Sequence, residues 1–167
     1  MKYTEKTLTG NEKIVYEANV DWFIFVPGIL LLLSGLYMYG NLTPFSKESD
    51  IAPAGTAVLA LITHLLFLFL IIKGTISLIN ALFYKISTEL VITTKRVIFK
   101  TGFIKRATVE LTSKQMESLS FDQGIFGRIF NFGDIRIYGT GGGVTPIFDI
   151  DNPLIFRNKA TELIDTV

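Results

Sequence analysis

AGTAVLALITHLLFLFLII, residues 54–72, runs for about nineteen positions without an aspartate, glutamate, lysine or arginine. At about 1.5 Å of helical rise per residue it reaches about 28 Å, which matches a bilayer hydrocarbon core of about 30 Å. The alternative is a buried helix of a soluble bundle, but a core helix of this length rarely lacks a charged face. The stretch therefore predicts a membrane-spanning helix.

A second apolar run, Trp22–Tyr39, precedes the first one in the chain. Trp22 begins it, and Tyr37 and Tyr39 end it, as expected for amphipathic rings at the level of the lipid headgroups. About twenty largely polar residues precede this run, far more than the short cationic segment of a cleaved signal peptide. Two spans that form a helical hairpin are therefore expected.

The orientation of the hairpin follows from its basic flanks, because positively charged segments resist translocation across the membrane. The loop Gly40–Pro53 carries only Lys47, beside Glu48 and Asp50. Basic residues are frequent on the other side of the spans: Lys2, Lys6, Lys13, Lys85, Lys95, Arg96, Lys100, Lys105 and Arg106. Both termini are expected to face the cytoplasm.

Two polar residues lie within the second span or at its end. Lys73 comes about twenty residues after Pro53, where the span should emerge on the cytoplasmic side, so we expect its ammonium to snorkel to the headgroups. The segment Gly74–Tyr84 stays largely apolar and is expected to extend the helix. His64 is the only histidine, and without a titratable partner in either span it predicts a polar contact between helices.

The composition excludes several chemistries. Hydrophobic residues make up 49% of the chain, cysteine is absent, and the formal net charge is +1. The absence of cysteine excludes disulfides, thiolate nucleophiles and cysteine-based zinc sites, and a lone histidine leaves little for metal or Ser-His-Asp sites. We expect no cofactor, no metal site and no enzymatic activity, since the acidic residues are dispersed without a nucleophile and base pair.

After the hairpin the apolar runs shorten to about five to eight residues, which is typical of strands and turns. Six strands are predicted: Glu89–Thr93, Arg96–Thr101, Ile104–Leu111, Met116–Phe121, Asp134–Tyr138 and Thr145–Ile150. One or two helical turns are expected between the fourth and fifth strands, where apolar residues follow helical spacing. Asn152 predicts an N-cap, and Pro153 should start a terminal helix that ends near Ile164.

Two features suggest ligand binding but are better explained by the fold. The run Gly139–Gly143 lacks the Gly-Lys-Ser/Thr ending of a phosphate-binding loop and precedes a strand, so we interpret it as a hairpin connection. The phenylalanines of this part are interpreted as core and interface residues rather than a ligand cage. They are Phe99, Phe103, Phe121, Phe126, Phe130, Phe132, Phe148 and Phe156.

A series of short motifs follows the hairpin. In order they are TELVITTKRVI (residues 88–98), KTGFIKR (100–106), GR (127–128), FGDI (132–135), GTGG (139–142), Pro146 and PLIFR (153–157). Together they resemble the bacterial pleckstrin-homology-like domain family, of the type flanked by two transmembrane helices. The resemblance covers the chain from about Ile86 to Ala160, and the paired spans upstream also resemble that family.

The resemblance implies an α+β membrane protein in which a two-helix transmembrane hairpin is followed by a cytoplasmic PH-like domain. That domain would have two bent antiparallel sheets and a C-terminal helix, without catalytic residues. The expected division is a polar cytoplasmic N-terminal segment (1–21), the hairpin with its inner helical extension (22–84) and the PH-like domain (85–167). The implied location is the bacterial inner membrane, with a multi-pass chain.

The basic residues near the cytoplasmic end of the second span are the candidate functional site. Near an anionic leaflet each would gain about 1 kcal/mol, and together they would contact a lipid headgroup. The candidates are Lys73, Lys95, Arg96, Lys100, Lys105 and Arg106. The simpler interpretation, which we favour, is a solvated flank that sets the topology only.

Two functions remain open from the sequence. We favour a membrane-anchored interaction or scaffold module that binds protein partners or further copies of itself, because open sheet edges and phenylalanine-rich surfaces favour association. The alternative is a lipid-sensing or lipid-binding membrane protein that uses the basic residues to hold anionic phospholipid. Nucleic-acid binding is not expected, since no recognition helix or aromatic RNA-binding motif accompanies these charges.

Overall fold

The structure is a computed structural model that describes Thr4, residues 7–42 and residues 54–165. It divides into two compact units. Ile24–Leu82 forms the helical unit, and Met1–Phe23 together with Phe83–Val167 forms the sheet unit. The described residues have the predicted α+β class, with helices and two sheets.

The helical unit is built from two long apolar helices. A 3-10 turn, Trp22–Phe25, leads into α1, Val26–Leu42, and α2 extends over Ala54–Ser87. Both helical segments are long and apolar enough to cross a membrane, judged by length and composition, and 11% of each apolar window is buried. The expected extension Gly74–Tyr84 is part of α2 and continues it without a break.

Glycines and one ring contact join the two helices of this unit. A Cβ atom on Gly74 would lie 2.6 Å from the backbone nitrogen of Leu32, and a Cβ atom on Gly35 would be crowded by α2 at 2.9 Å. Close approach at small residues is a common way for helices to associate in lipid. The rings of His64 and Tyr39 lie 6.0 Å apart, so His64 contacts α1, but its Nδ1 atom hydrogen-bonds to the carbonyl oxygen of Ala60 in its own helix rather than to a polar group of α1.

The sheet unit contains two antiparallel sheets. The first contains, in spatial order, β1 (Ile14–Ala18), β2 (Glu89–Thr93), β3 (Arg96–Thr101) and β4 (Ala107–Thr112). The second contains β5 (Met116–Asp122), β6 (Phe132–Gly139) and β7 (Gly143–Asp151). An isolated bridge between Val20 and Ile150 links the chain after β1 to the second sheet.

The first strand comes from the part of the chain that precedes the hairpin. Ile14 pairs with Thr93 and Ala18 pairs with Leu90, so β1 runs antiparallel to β2. Residues 1–21 were predicted as a separate polar segment, because a five-residue strand shows no local sign of a partner so far along the chain. In the structure the two long helices are the connection between β1 and β2.

The later elements agree closely with the sequence pattern. All six predicted strands are present; β2 and β3 have the predicted bounds, and β4 begins at Ala107 rather than at Ile104. A short helix, α3 (Ile125–Phe130), follows β5, and the terminal helix, α4 (Pro153–Asp165), follows β7. The glycine run forms the turn between β6 and β7, as predicted.

Asn152 precedes α4, but the structure shows a different use of its side chain. Its amide oxygen accepts a hydrogen bond from Nδ2 of Asn131, whereas an N-cap would offer that oxygen to the first backbone N–H groups of the helix. Asn131 and Asn152 have φ angles of 60° and 52°, in a left-handed region that asparagine tolerates better than most residues. The asparagine pair therefore joins the end of α3 to the start of α4.

The core of the sheet unit consists mainly of branched aliphatic side chains from both sheets. Fully buried members include Leu90, Ile92, Ile98, Ile135, Ile137, Ile147, Ile150 and Phe156. Among the phenylalanines, Phe99 and Phe156 are buried, whereas four others are exposed: Phe103, Phe126, Phe130 and Phe148. Phe99 and Phe156 are therefore the core residues of this set, and an interface role stays a prediction for the four exposed ones.

Candidate functional site

Arg96 begins β3 and ties the N-terminal segment to the first sheet. Its Nε and Nη2 atoms each donate to the Glu12 carboxylate at 3.0 Å. Nη1 donates to Glu110 Oε2 at 2.7 Å, and Nη2 also donates to the carbonyl oxygen of Thr7 at 2.9 Å. This two-point contact with a carboxylate is the strong form of an arginine ion pair.

Glu12 is the buried centre of this network, with a side chain that is 0% exposed. Burial raises the pKa of its carboxyl, but hydrogen bonds from Thr93, Thr9 and Arg96 favour the charged form and lower the pKa to about 2. The Thr93 hydroxyl donates to Oε1 at 2.6 Å, and the Thr9 hydroxyl donates to Oε2 at 2.9 Å. Glu12 carries no local signal in the sequence, because Thr93 and Arg96 lie 81 and 84 positions away.

Lys100 is a second candidate lipid contact that forms an ion pair. Its Nζ donates to Glu89 Oε1 at 2.6 Å, and the two residues are directly paired across β2 and β3. Both side chains are mostly buried. The charge of Lys100 is therefore balanced within the first sheet, as that of Arg96 is.

The β3–β4 loop, residues 102–106, presents apolar and basic side chains next to each other. Ile104 is 96% exposed, and Phe103, Lys105 and Arg106 are exposed as well. An apolar side chain followed by two cations suits a membrane surface, because the first enters the headgroup layer and the others meet its phosphates.

Two contacts define the shape of this loop. Gly102 has a φ angle of 95°, and a Cβ atom there would overlap the carbonyl oxygen of Lys105, so the tight loop requires glycine. The Phe103 ring packs against the Phe83 ring, with 4.8 Å between their centroids. The loop is therefore held at the last residues of α2, which belong to the sheet unit.

The five candidate residues of the sheet unit do not form one cluster. Lys95 is exposed in the turn before β3, whereas Lys105 and Arg106 follow β3. The six residues of β3 separate these positions by about 20 Å, at about 3.3 Å per residue. Lys73 is exposed on α2 within the helical unit. The residues of the sheet unit are close in the sequence, but they lie at opposite ends of β3 because the strand is extended.

Two shallow depressions lie on the sheet unit. One, of about 240 Å³, is lined by β4 and the β6–β7 turn, and the other, of about 250 Å³, lies between β1, β2 and α4. Both are smaller than typical ligand pockets of about 300–1,000 Å³. Within the described residues, no group of three histidine, aspartate or glutamate side chains is arranged to hold a metal ion.

Comparison with known proteins gives one match. A family model described as Bacterial PH domain matches residues 23–167, a region that includes both long helices and every strand after β1. A search of curated proteins found no match, and a search of solved structures found none. The part of the sequence resemblance that concerns the PH domain is thereby confirmed.

Proposed function

The chain belongs to the bacterial PH domain family, and we propose that it is a membrane-anchored interaction module whose helical hairpin crosses the cell membrane twice. Domains of this kind are generally binding modules rather than enzymes. The observation that carries the proposal is the position of the hairpin between β1 and β2. An anchor inserted there would hold the first sheet at the membrane surface through two neighbouring strands.

The exposed surface of the hairpin supports a lipid environment. Leu30, Leu59 and Leu61 are examples of apolar side chains that are more than 60% exposed. In water such helices would present a large continuous apolar surface, whereas in lipid the same side chains are solvated and the backbone groups are satisfied within each helix.

The proposed orientation places both termini and the sheet unit in the cytoplasm. The loop between the spans carries one lysine and two acidic residues, whereas the segments on the other side carry most of the basic residues. Positive charge near the ends of spans favours the cytoplasmic side. The proposed location is the inner membrane of a bacterium.

Single cysteines test both the anchoring and the orientation, because the chain has none of its own. Lys47→Cys lies between the spans, and Lys13→Cys and Lys114→Cys lie on the proposed cytoplasmic side. A membrane-impermeant maleimide should label Lys47→Cys in intact spheroplasts and the other two only after lysis. Release of the chain from membranes by alkaline carbonate would contradict the anchoring, and the reverse labelling pattern would contradict the orientation.

We further propose that the module self-associates through β4. This strand is at the edge of the first sheet and its residues are mostly exposed. Unpaired backbone groups on an edge strand can pair with the same strand of a second copy. In isolated native membranes treated with copper–phenanthroline and oxygen as the oxidant, Thr108→Cys should form a disulfide-linked dimer, whereas Thr161→Cys on α4 should not. A monomer for both variants, and in detergent at all concentrations, would contradict self-association.

Lipid binding is the second candidate function, and the β3–β4 loop favours it. Lys105 and Arg106 carry exposed charge beside the exposed Ile104, while Arg96 and Lys100 are used within the sheet. Native mass spectrometry of the detergent-purified chain with added phosphatidylglycerol tests it. Lys105→Ala/Arg106→Ala should lose bound lipid, and the matched pair Lys13→Ala/Lys114→Ala should retain it. Equal lipid occupancy in both double variants would exclude the loop as the lipid site.

A further inference from the structure

Helix α3 has the reverse of the usual distribution of apolar residues. Ile125, Phe126, Ile129 and Phe130 are 79%, 62%, 68% and 44% exposed, whereas the buried residue of the helix is Gly127. A surface helix ordinarily directs its large apolar side chains towards the core. Four exposed large hydrophobic residues in a six-residue helix indicate a surface that contacts something outside the sheet unit.

Backbone contacts hold α3 in this orientation. A Cβ atom on Gly127 would lie 2.5 Å from the carbonyl oxygen of Phe132, so the helix rests on the start of β6 through its glycine. The side-chain amide of Gln123 donates to the carbonyl oxygens of Gly127 and Phe132, at 3.4 and 3.1 Å. Turning the apolar side chains inward would break these contacts, so their exposure is a property of the fold.

The apolar side chains of α3 are continuous with the residues that begin the first candidate span. The Phe23 ring is 6.0 Å from the Phe126 ring and 5.3 Å from the Phe130 ring, and the Trp22 ring is 6.0 Å from the Phe130 ring. Trp22 is also the first residue of the candidate span Trp22–Asn41. The α3 surface is defined by Trp22, Phe23, Ile125, Phe126, Ile129 and Phe130.

We propose that the α3 surface is a second membrane contact, inserted at the boundary between lipid headgroups and acyl chains. The proposal rests on the membrane anchoring proposed above, because Trp22 sets the depth. Tryptophan at the end of a span lies at headgroup level, and side chains in contact with it lie at a similar level. Interfacial apolar helices enter this boundary by about 5–10 Å.

A bilayer suits this surface better than a second copy or another protein. Because Trp22 belongs both to the α3 surface and to the candidate span, lipid lies beside this surface whenever the span is in a membrane. A protein covering it would have to displace those headgroups. The charged residue of α3 is Arg128, which is exposed and carries the sign that anionic lipid attracts.

The single tryptophan of the chain allows a direct test. In a Trp22→Tyr background of the full-length protein, which keeps an amphipathic ring at headgroup level, Phe126→Trp and Ile129→Trp place a probe at two positions of the α3 surface. Lys114→Trp is the matched exposed control beyond the other end of β5, and Leu66→Trp marks the middle of the second span. Each variant is reconstituted into vesicles of phosphatidylcholine and phosphatidylglycerol, brominated either near the carbonyl end or near the methyl end of the acyl chains.

Both α3 probes should lose fluorescence by about twofold in vesicles brominated near the carbonyl end, as expected for shallow insertion. Lys114→Trp should change little. If the α3 probes behave like Lys114→Trp while Leu66→Trp is quenched by the deeper bromines, the anchoring holds and the α3 contact is overturned. If Leu66→Trp is also unquenched, the anchoring itself fails. A blue shift of the α3 probes that grows with protein concentration, without quenching, would assign the surface to a second copy and overturn the proposal.

Discussion

The two sheets of the sheet unit are assembled from different parts of the chain. The first takes β1 from before the helical hairpin and β2, β3 and β4 from after it, whereas the strands of the second sheet follow one another within residues 116–151. A distant edge strand needs specific long-range contacts to stay in place, and the network of Glu12 and Arg96 supplies them. The stability of the first sheet should therefore depend on a few polar residues, and that of the second on close packing of its backbone.

The substitution Arg96→Ala should give the largest difference in stability between the first sheet and the second. Arg96→Ala leaves the buried Glu12 carboxylate without its cation, and breaking a buried ion pair by removing one partner costs about 3–5 kcal/mol. Hydrogen exchange of the detergent-purified protein should show faster opening of β1 and β2, with β6 and β7 nearly unchanged.

Arg106→Ala is the control for Arg96→Ala. It removes the same type of side chain from an exposed loop position, so protection should stay close to wild type. Equal loss of protection in both sheets of Arg96→Ala would mean that the unit opens as a whole and that the first sheet has no separate dependence on Glu12.

Acidification should weaken the first sheet through the same carboxylate. The pKa of Glu12 is about 2 in the folded protein and 4.5 as its ordinary value, so its stabilisation is present above about pH 4.5 and is lost as the pH falls towards 2. Because the side chain is fully buried, the loss approaches about 3 kcal/mol. Thermal unfolding between pH 6 and about pH 2, read at about the same ionic strength, would measure it.

Glu12→Gln removes this titration and keeps the shape of the side chain. The variant should be less stable than wild type at neutral pH, and the difference between them should shrink on acidification. A constant difference across the pH range would show that the charge of Glu12 is not what stabilises β1.

The sequence predicted elements whose partners are close in the chain and missed those whose partners are far away. The hairpin of β2 and β3, the β6–β7 turn and α4 were all visible, because turn residues and short-range periodicity mark them. Ile14–Ala18 has the residues of a strand, but its partner β2 begins beyond the helical hairpin. Local patterns contain no information about such a pairing.

The candidate site was predictable in part for a similar reason. Lys105 and Arg106 were predicted within a strand that begins at Ile104, whereas in the structure they are exposed in the β3–β4 loop. Arg96 and Lys100 looked equivalent to them in sequence, yet their carboxylate partners Glu12 and Glu89 are visible only in the folded sheet. Phe126 and Phe130 of the α3 surface were predicted as core or interface residues, and apolar helical spacing alone does not state which side of a helix is buried.

A methyl group added at Gly133 should destabilise the second sheet and leave the first unchanged. A Cβ atom on Gly133 would lie 2.6 Å from the carbonyl oxygen of Asp122 and 2.8 Å from Cγ of Gln123, where β6 begins beside β5. Gly133→Ala should therefore cost about 1–3 kcal/mol, the range typical of overpacking. Hydrogen exchange should quicken in β5 and β6 while β1 and β2 stay protected.

Gly124→Ala is the matched control for Gly133→Ala, because nothing lies within 4 Å of a Cβ atom at that position. Its exchange should resemble wild type. A loss of protection in β1 and β2 of Gly133→Ala would show that the second sheet supports the first, and the proposed independence of the two would be wrong.

The smallest expected effect is a gain in stability rather than a loss, and it concerns Asp149 in β7. Burial raises the pKa of Asp149, and the nearby Asp134 and Asp21 raise it further. A raised folded pKa means that the protonated form favours folding, so this contribution is present below the ordinary value of 3.8 and is lost as the pH rises through the folded pKa. Asp149→Asn removes the charge and suits the φ angle of 54°, so it should stabilise the protein at pH 7 by up to about 1 kcal/mol, a gain limited by partial solvent exposure.

The gain should vanish near pH 3, where wild-type Asp149 is itself protonated. Asp122→Asn, which removes an exposed carboxylate paired with Arg136, should show no gain. A thermal midpoint for Asp149→Asn below that of wild type at pH 7 would mean that the carboxylate makes a favourable contact which outweighs its burial and its acidic neighbours.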